Sequence, residues 1–288
     1  MGRVLNALRV ATGAEVTVEC NPDTLDLAKV RGYRDVGVTR ISLGVQSMVP
    51  HVLNALGRSH DPENVQRAAE WIVDTGFTTW NADVIYGSVG ESLDDWRTTL
   101  GALLTLSPPH VSAYGLTVEA GTPLAADTSR YPDDDEQADQ YELADTMLSA
   151  AGLDNYEVSN WACPGHECEH NRLYWSQGDY RGFGCAAHSH ESGRRWWNVR
   201  TPERYIELVH AGKAVEAASE TLDDDARELE ALQLALRTRD GVPTGALDEA
   251  ALDGLVMAHD DRLVLTRRGR LLANEVSVRL QPAVRQSP

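Results

Sequence analysis

Three stretches of this 288-residue sequence gather side chains suited to holding a metal, a proton or a flat aromatic ligand. The first, Cys163-Pro164-Gly165-His166-Glu167-Cys168-Glu169-His170, packs two thiols and two imidazoles into eight residues, which invites zinc. Its spacing is tighter than an ordinary zinc knuckle and no second ligand pair stands elsewhere. A loop with incidental thiols is therefore the stronger reading and a Cys163, His166 and Cys168 metal site the weaker. The second, His170-Asn171-Arg172-Leu173-Tyr174-Trp175, couples an imidazole able to ligate iron axially with aromatics able to lie on a porphyrin face. Alone, a His beside a Tyr-Trp pair is more often a core element. The third, Gly182-Phe183-Gly184-Cys185-Ala186-Ala187-His188-Ser189-His190, is a run of small residues that lets backbone approach a ligand closely. Gly87-Ser88-Val89-Gly90-Glu91 follows a strand pattern but lacks the Lys-Ser/Thr pair of a nucleotide-triphosphate loop.

These groups need a scaffold, and the first half of the chain supplies strands alternating with helices. Glu15–Cys20, Arg40–Gln46, Thr79–Tyr86 and Val111–Leu116 read as strands. Helices are expected near Thr24–Asp35, from Pro62 to Gly76 behind an Asp61 cap, after a Ser92 cap, and across the acidic stretch Asp134–Ala151. Their core faces are Val65, Ala68, Ala69, Ile72 and Val73 in one, and Trp96, Leu100, Leu103 and Leu104 in the other. Four strands separated by helices imply a parallel sheet, open or rolled into a barrel. Glu19, Gln46, Asp83, and Tyr114 with Thr117 stand at the C-terminal ends of these strands, where parallel α/β folds carry their ligand site. After about residue 152 aromatics and glycines become dense, and from about Glu220 a helical piece begins. It comprises an amphipathic helix Leu222–Arg239, a strand Arg262–Leu265 and a last helix from the Thr266 cap to about Leu280, a winged-helix-like pattern.

Composition narrows the partners. There are 26 Lys and Arg against 44 Asp and Glu, a net charge of -18, and residues 61–180 hold the imbalance with 4 basic and 22 acidic groups. Such a field argues against nucleic acid, and Arg267, Arg268 and Arg270 are balanced by nearby acids. No apolar run spans a bilayer and no signal-peptide core is present, so no membrane insertion is expected. With only four Cys, reduced thiols in the cytoplasm are the expectation.

Taken in order, the strings Glu19-Cys-Asn-Pro, Ser42-Leu-Gly-Val-Gln46-Ser47, Gly57-Arg58-Ser-His60, Asn81-Ala-Asp83-Val-Ile-Tyr86-Gly87 and Tyr114-Gly-Leu-Thr resemble the radical-SAM oxygen-independent coproporphyrinogen III oxidase-like family. Tyr156-Glu-Val-Ser-Asn-Trp161, His170-Asn-x-x-Tyr174-Trp175 and Gly182-x-Gly-x-x-Ala-His188-Ser189 resemble its haem-chaperone branch, HemW, rather than the decarboxylase branch, HemN. The resemblance spans essentially the whole chain. It implies an α/β fold, a partial (β/α) barrel of the radical-SAM type, with a C-terminal α+β accessory domain ending in the winged-helix-like module. The expected divisions are 1–151 for the barrel, 152–219 for the haem-motif region and 220–288 for the C-terminal module. It places Glu19, Gln46, Arg58, Asp83, Gly115 and His188 at or beside contacts to S-adenosylmethionine, and His170, Asn171, Tyr174 and Trp175 on a haem-binding motif.

One departure from the family pattern is large. The family opens with a CxxxCxxC strand whose thiolates hold a [4Fe-4S] cluster, followed by a GGGTP strand, and neither stands in this sequence. Cys20, Cys163, Cys168 and Cys185 lack that spacing. The resemblance then implies a fragment with four of six barrel strands, no ligands for the cluster and no radical chemistry, or a degenerate paralogue kept for haem. The strand Glu15–Cys20 would be a sheet edge, with poor solubility expected. Haem trafficking to cytoplasmic or membrane-associated acceptor proteins is the expected function. Oxidative decarboxylation of coproporphyrinogen III to protoporphyrinogen IX and a ligand-free α/β remnant are the alternatives.

Overall fold

The computed structural model describes residues 2–281; residue 1 and the last seven residues of the expected 220–288 module lie outside it. The chain divides into two compact units between Glu167 and Cys168. The first contains α1 (Gly2–Leu8), β1 (Thr17–Cys20), α2 (Leu27–Asp35), β2 (Arg40–Gln46), α3 (Pro50–Ala55), α4 (Pro62–Asp74), β3 (Thr79–Tyr86), α5 (Leu93–Thr105), β4 (His110–Gly115), α6 (Asp134–Ala150), β5 (Asp154–Glu157) and β6 (Asn160–Ala162).

Side-chain caps set the helix starts. Asp26 accepts from the Lys29 N–H, Asp61 from Glu63 with Pro62 in the first turn, and Asp133 from Asp135 and Glu136. Ser92 and Asp95 form a reciprocal capping box. The sheet runs β1-β2-β3-β4-β6-β5. Its first four strands are parallel, as their spacing implies, while β6 joins β4 and β5 joins β6 antiparallel.

The two faces of this sheet differ chemically. Ile41, Leu43, Val45, Trp80, Ala82, Val84, Val111, Ala113 and Trp161 form a buried apolar face. The helices supply matching buried stripes: Val65, Ala68, Ala69 and Ile72 on α4, Trp96, Leu100 and Leu103 on α5, and Tyr141, Ala144 and Leu148 on α6. Two expected stripe members fall outside. Val73 is solvent-exposed, and Leu104 is only half-buried while the polar Thr99 is buried in its stripe. Thr99 fits there because its hydroxyl meets Ser47 Oγ at 3.1 Å and accepts from the Met48 N–H. The opposite face is polar: register aligns Glu19 with Ser42, Ser42 with Asn81 and Asn81 with His110 across four strands.

The second unit contains α7 (Glu169–Trp175), β7 (His188–Glu191), β8 (Arg194–Asn198), α8 (Pro202–His210), β9 (Glu216–Thr221), α9 (Asp224–Ala235), β10 (Val242–Pro243), β11 (Val256–His259), β12 (Arg262–Leu265), α10 (Arg267–Leu271) and α11 (Ala273–Ser277). Strands β7, β8 and β9 form one antiparallel sheet, and β10, β12 and β11 another. Leu236, Val242, Leu252, Leu263 and Val276 form the core around the latter. The expected helix Leu222–Arg239 is shorter, because Asp223 caps it through the Ala226 N–H. The expected single helix to Leu280 is two, interrupted at Leu272, whose φ of -108° and ψ of 25° leave the helical region. Among the described residues no helix is long and apolar enough to cross a membrane.

Candidate functional site

A cleft of about 560 Å³ opens at the C-terminal ends of β1 to β4. Four of the expected cofactor residues line it: Glu19 is the last but one residue of β1, Gln46 closes β2, Arg58 follows α3 and Asp83 sits on β3. Gly115 follows the lining residue Tyr114 but faces the helices; a Cβ there would lie 3.3 Å from the Tyr86 hydroxyl. His188 belongs to the second unit, at the start of β7.

Local backbone geometry aims these groups. A register shift between Gly44 and Gln46 interrupts the β2–β3 ladder, and Gln46 takes a φ of 62°. A non-glycine residue in the left-handed region costs of order 1–3 kcal/mol, and such positions cluster at ligand sites. The Gln46 amide folds back over Gly44, where a Cβ would come within 2.9 Å of Nε2. Arg58 donates its backbone N–H to Leu53 O at 2.8 Å as the chain leaves α3. Asp83 is gripped by both oxygens: Ser42 Oγ donates to Oδ2 at 2.6 Å and Asn81 Nδ2 to Oδ1 at 2.7 Å.

The strand-end position of Tyr114 is borne out, since it lines the cleft, whereas sequence reasoning left out Cys20, Asn21, Ser42, Gly44, His60 and Ile85 as lining residues. Ser42 and His60 lay inside quoted motifs and were available signals. His60 is buried and donates Nε2–H to the Val45 carbonyl at 2.8 Å. Burial, and then the neighbouring Glu19, push the Cys20 thiol up to about 11, so it stays protonated and weakly nucleophilic at neutral pH. Desolvation also raises the Tyr114 phenol, with Asp83 and Glu157 acting in the same direction. The cleft thus presents two carboxylates, one guanidinium and two carboxamides. That set matches a zwitterionic ligand with hydroxyl groups: carboxylates accept from ammonium or hydroxyl, and the guanidinium grips a carboxylate.

In the second unit α7 carries the other expected site. His170 and Tyr174 are solvent-exposed, while Asn171 and Trp175 are half-buried. The His170 and Tyr174 rings meet edge to face at 4.6 Å, and Tyr174 meets Tyr180 at 4.5 Å. Tyr180 pairs in turn with His190, a buried ring that donates Nδ1–H to Gly178 O at 3.0 Å and accepts from the Gly193 N–H at 3.1 Å. The imidazole of His170 is therefore accessible and braced from behind. Leu173 and Phe183 add exposed apolar surface in this unit. A flat apolar ligand with an axial coordination position suits such a surface.

The zinc reading of Cys163, His166 and Cys168 gains no support among the described residues. Among the described residues no three His, Cys, Asp or Glu side chains come together as metal ligands, and His166 Nδ1 meets Thr79 Oγ1 at 3.1 Å. Those described residues offer no three-thiolate set for a cluster either.

Comparison with known proteins finds relatives over most of the chain. The radical SAM superfamily model matches residues 2–103. The chain is 45% identical over 279 residues to the heme chaperone HemW of Mycobacterium tuberculosis strain H37Rv, spanning 93% of this chain and 72% of the relative. It is 34% identical over 284 residues to the heme chaperone HemW of Escherichia coli K12, spanning 93% and 75%. Among solved structures, the coproporphyrinogen III oxidase HemN of Escherichia coli, a radical SAM enzyme, superposes with a TM-score of 0.80 at 20% identity, covering 96% of this chain and 72% of that one.

Proposed function

This chain belongs to the HemW heme-chaperone family of radical SAM proteins, and we propose that it carries haem on His170 of α7 and binds S-adenosylmethionine in the β1–β4 cleft. The observation that carries the haem assignment is the exposed His170 imidazole held edge-on by Tyr174. His170 supplies the axial nitrogen, Tyr174 fixes its ring plane, and Asn171 and Trp175 complete the motif on the same helix. The haem passes from this surface to acceptor proteins, in the cytoplasm or associated with the membrane.

S-adenosylmethionine, when bound, supplies a sulfonium flanked by a methionine carboxylate and ammonium and by ribose hydroxyls. Arg58 pairs with the carboxylate, and Glu19 and Asp83 accept from the hydroxyls and the ammonium. Gln46, fixed by its left-handed backbone, offers both a donor and an acceptor. The decarboxylase alternative draws support only from a structure 20% identical to this chain, a likeness of fold.

Two titrations test these assignments. Haem added to the protein should give a Soret shift consistent with histidine ligation, and His170→Ala should lose that shift and bind at least about tenfold more weakly. Identical spectra and affinity in both proteins refute the haem site. Calorimetric titration with S-adenosylmethionine should show Asp83→Ala weakened about a hundredfold, the scale of two or more charge-assisted hydrogen bonds. Unchanged affinity removes Asp83 from the cofactor site.

A further inference from the structure

The polar face of the first sheet holds a chain of side chains that runs from the cleft into the interior. Asp83 sits at its cleft end. Behind it, Asn81 Nδ2 donates to Asp83 Oδ1 and to Ser42 Oγ, both at 2.7 Å. Asn81 Oδ1 meets His110 Nδ1 at 2.7 Å and accepts from Ser112 Oγ at 3.1 Å. His110 Nε2 meets the Tyr156 hydroxyl at 2.8 Å. Asn81, Ser112 and His110 are each no more than 2% exposed, and Tyr156 is 4% exposed.

The partners fix the proton positions at the Asn81 end of the chain. A carboxylate accepts and never donates, so the Asn81 amide must turn its NH₂ toward Asp83 and its oxygen toward His110. Reversing it would set Asn81 Oδ1 against Asp83 Oδ1. His110 must therefore donate from Nδ1. In the neutral ring Nε2 accepts from the Tyr156 hydroxyl; a second proton would reverse that link without breaking it, because a phenol oxygen also accepts. Burial first, then Arg40 and His166 nearby, hold the ring well below the ordinary histidine value, which keeps it neutral. Every bond in the chain thus points the same way, from Tyr156 toward Asp83.

We propose that His110, buried and donating from Nδ1 to Asn81 with Tyr156 at its Nε2, is a positioning residue that fixes the Asn81 amide and through it the Asp83 carboxylate in the cofactor cleft. The inference rests on the reading of that cleft as the S-adenosylmethionine site. His110 touches no ligand. Its role is to forbid the Asn81 flip, so that both Asp83 oxygens are engaged from below and their remaining lone pairs face the ligand's hydroxyl or ammonium donors. A buried chain satisfied in a single sense is rigid, and an acceptor held in place before binding loses little on binding.

The test compares substitutions that separate donation from packing. An Asn at 110 can keep a donor near the Nδ1 position, whereas a Leu fills apolar volume and donates nothing. His110→Leu should weaken S-adenosylmethionine binding about tenfold by calorimetry, and His110→Asn should recover to within about threefold of wild type. A residue that served only packing would give the opposite ranking, because a small polar amide fills the site less well. Tyr156→Phe should weaken binding about fivefold. Independently of any ligand, long-range ¹H–¹⁵N correlation of the imidazole should show His110 neutral and protonated on Nδ1 from pH 5 to 8. An Nε2–H tautomer, or equal affinity in the Leu and Asn variants while Asp83→Ala remains weakened, overturns the relay and leaves the cofactor site standing. Unchanged affinity in Asp83→Ala overturns both.

Discussion

At pH 8 the Glu91→Gln protein should resist urea better than wild type, by on the order of 3 kcal/mol, and the advantage should vanish below about pH 4.5. Glu91 lies 6% exposed in the turn after β3, where its Oε2 accepts from the Gly87 N–H at 2.9 Å and the Ser88 N–H at 3.2 Å. Those two bonds favour the charged carboxylate, but desolvation outweighs them and pushes the group from 4.5 up to about 7. Asp95 adds to the rise, while the Gln140 amide opposes it. The folded state therefore holds this proton more tightly than the unfolded state does. Its stabilising contribution is complete below the unfolded value of 4.5 and is lost as pH rises through 7. A glutamine keeps an acceptor for the two amides, carries no charge, and can donate toward Gln140 Oε1, an atom without a partner in the fold. The measurement is the difference in urea stability between the two proteins from pH 4 to 8. A difference that does not grow with pH would show that Glu91 is not the group responsible.

Gly182→Ala should destabilise the second unit by on the order of 3 kcal/mol, the upper end of what overpacking costs. A Cβ at this position would lie 2.2 Å from the His188 carbonyl oxygen and 2.9 Å from Ala187 Cβ. Neither neighbour yields easily. Ser189 Oγ accepts from the Gly182 N–H at 2.9 Å, and Asn198 Nδ2 donates to Gly184 O at 2.8 Å, so the loop is pinned at both ends. Gly184 is the control two residues away. It has a φ of 102° but open space around its Cβ direction, so an alanine there pays torsional strain alone. Limited proteolysis across residues 180–190 and thermal melting should rank the variants, with Gly182→Ala the more damaged. Equal damage would mean that the close approach to His188 is relieved cheaply by the loop.

The helical layer of the first unit was legible because its signals are local. Asp61 with Pro62 and Ser92 with Asp95 announce helix starts within four residues, and the apolar face of β2, Ile41, Leu43 and Val45, alternates cleanly. The cleft was legible in part for the same reason, since the strand ends that bear Glu19, Gln46 and Asp83 follow from the strands. The polar chain behind Asp83 was not. Asn81 and Tyr156 lie 29 and 46 residues from His110 along the chain, and nothing local marks any of the three as a partner of the others. The addition of β5 and β6 to the parallel sheet was equally silent, because antiparallel pairing of three- and four-residue strands leaves no periodicity to read. Val73 and Leu104 were misplaced because helical spacing alone does not say how wide the buried stripe is.

The polar interior of the β1–β4 sheet also bears on how the protein responds to temperature. Exposing apolar surface on unfolding raises heat capacity by about 0.45 cal/K/mol per Å², whereas exposing polar surface lowers it by about 0.26. A sheet with Trp80 and Leu43 on one side and Asn81, Ser112 and His110 on the other exposes both kinds together. The two contributions partly cancel, so the heat-capacity change of the first unit should fall below that of a fully apolar core of equal size. Its stability then varies less steeply between cold and heat, and the cleft keeps its shape over a broader thermal range than its modest apolar content would otherwise allow.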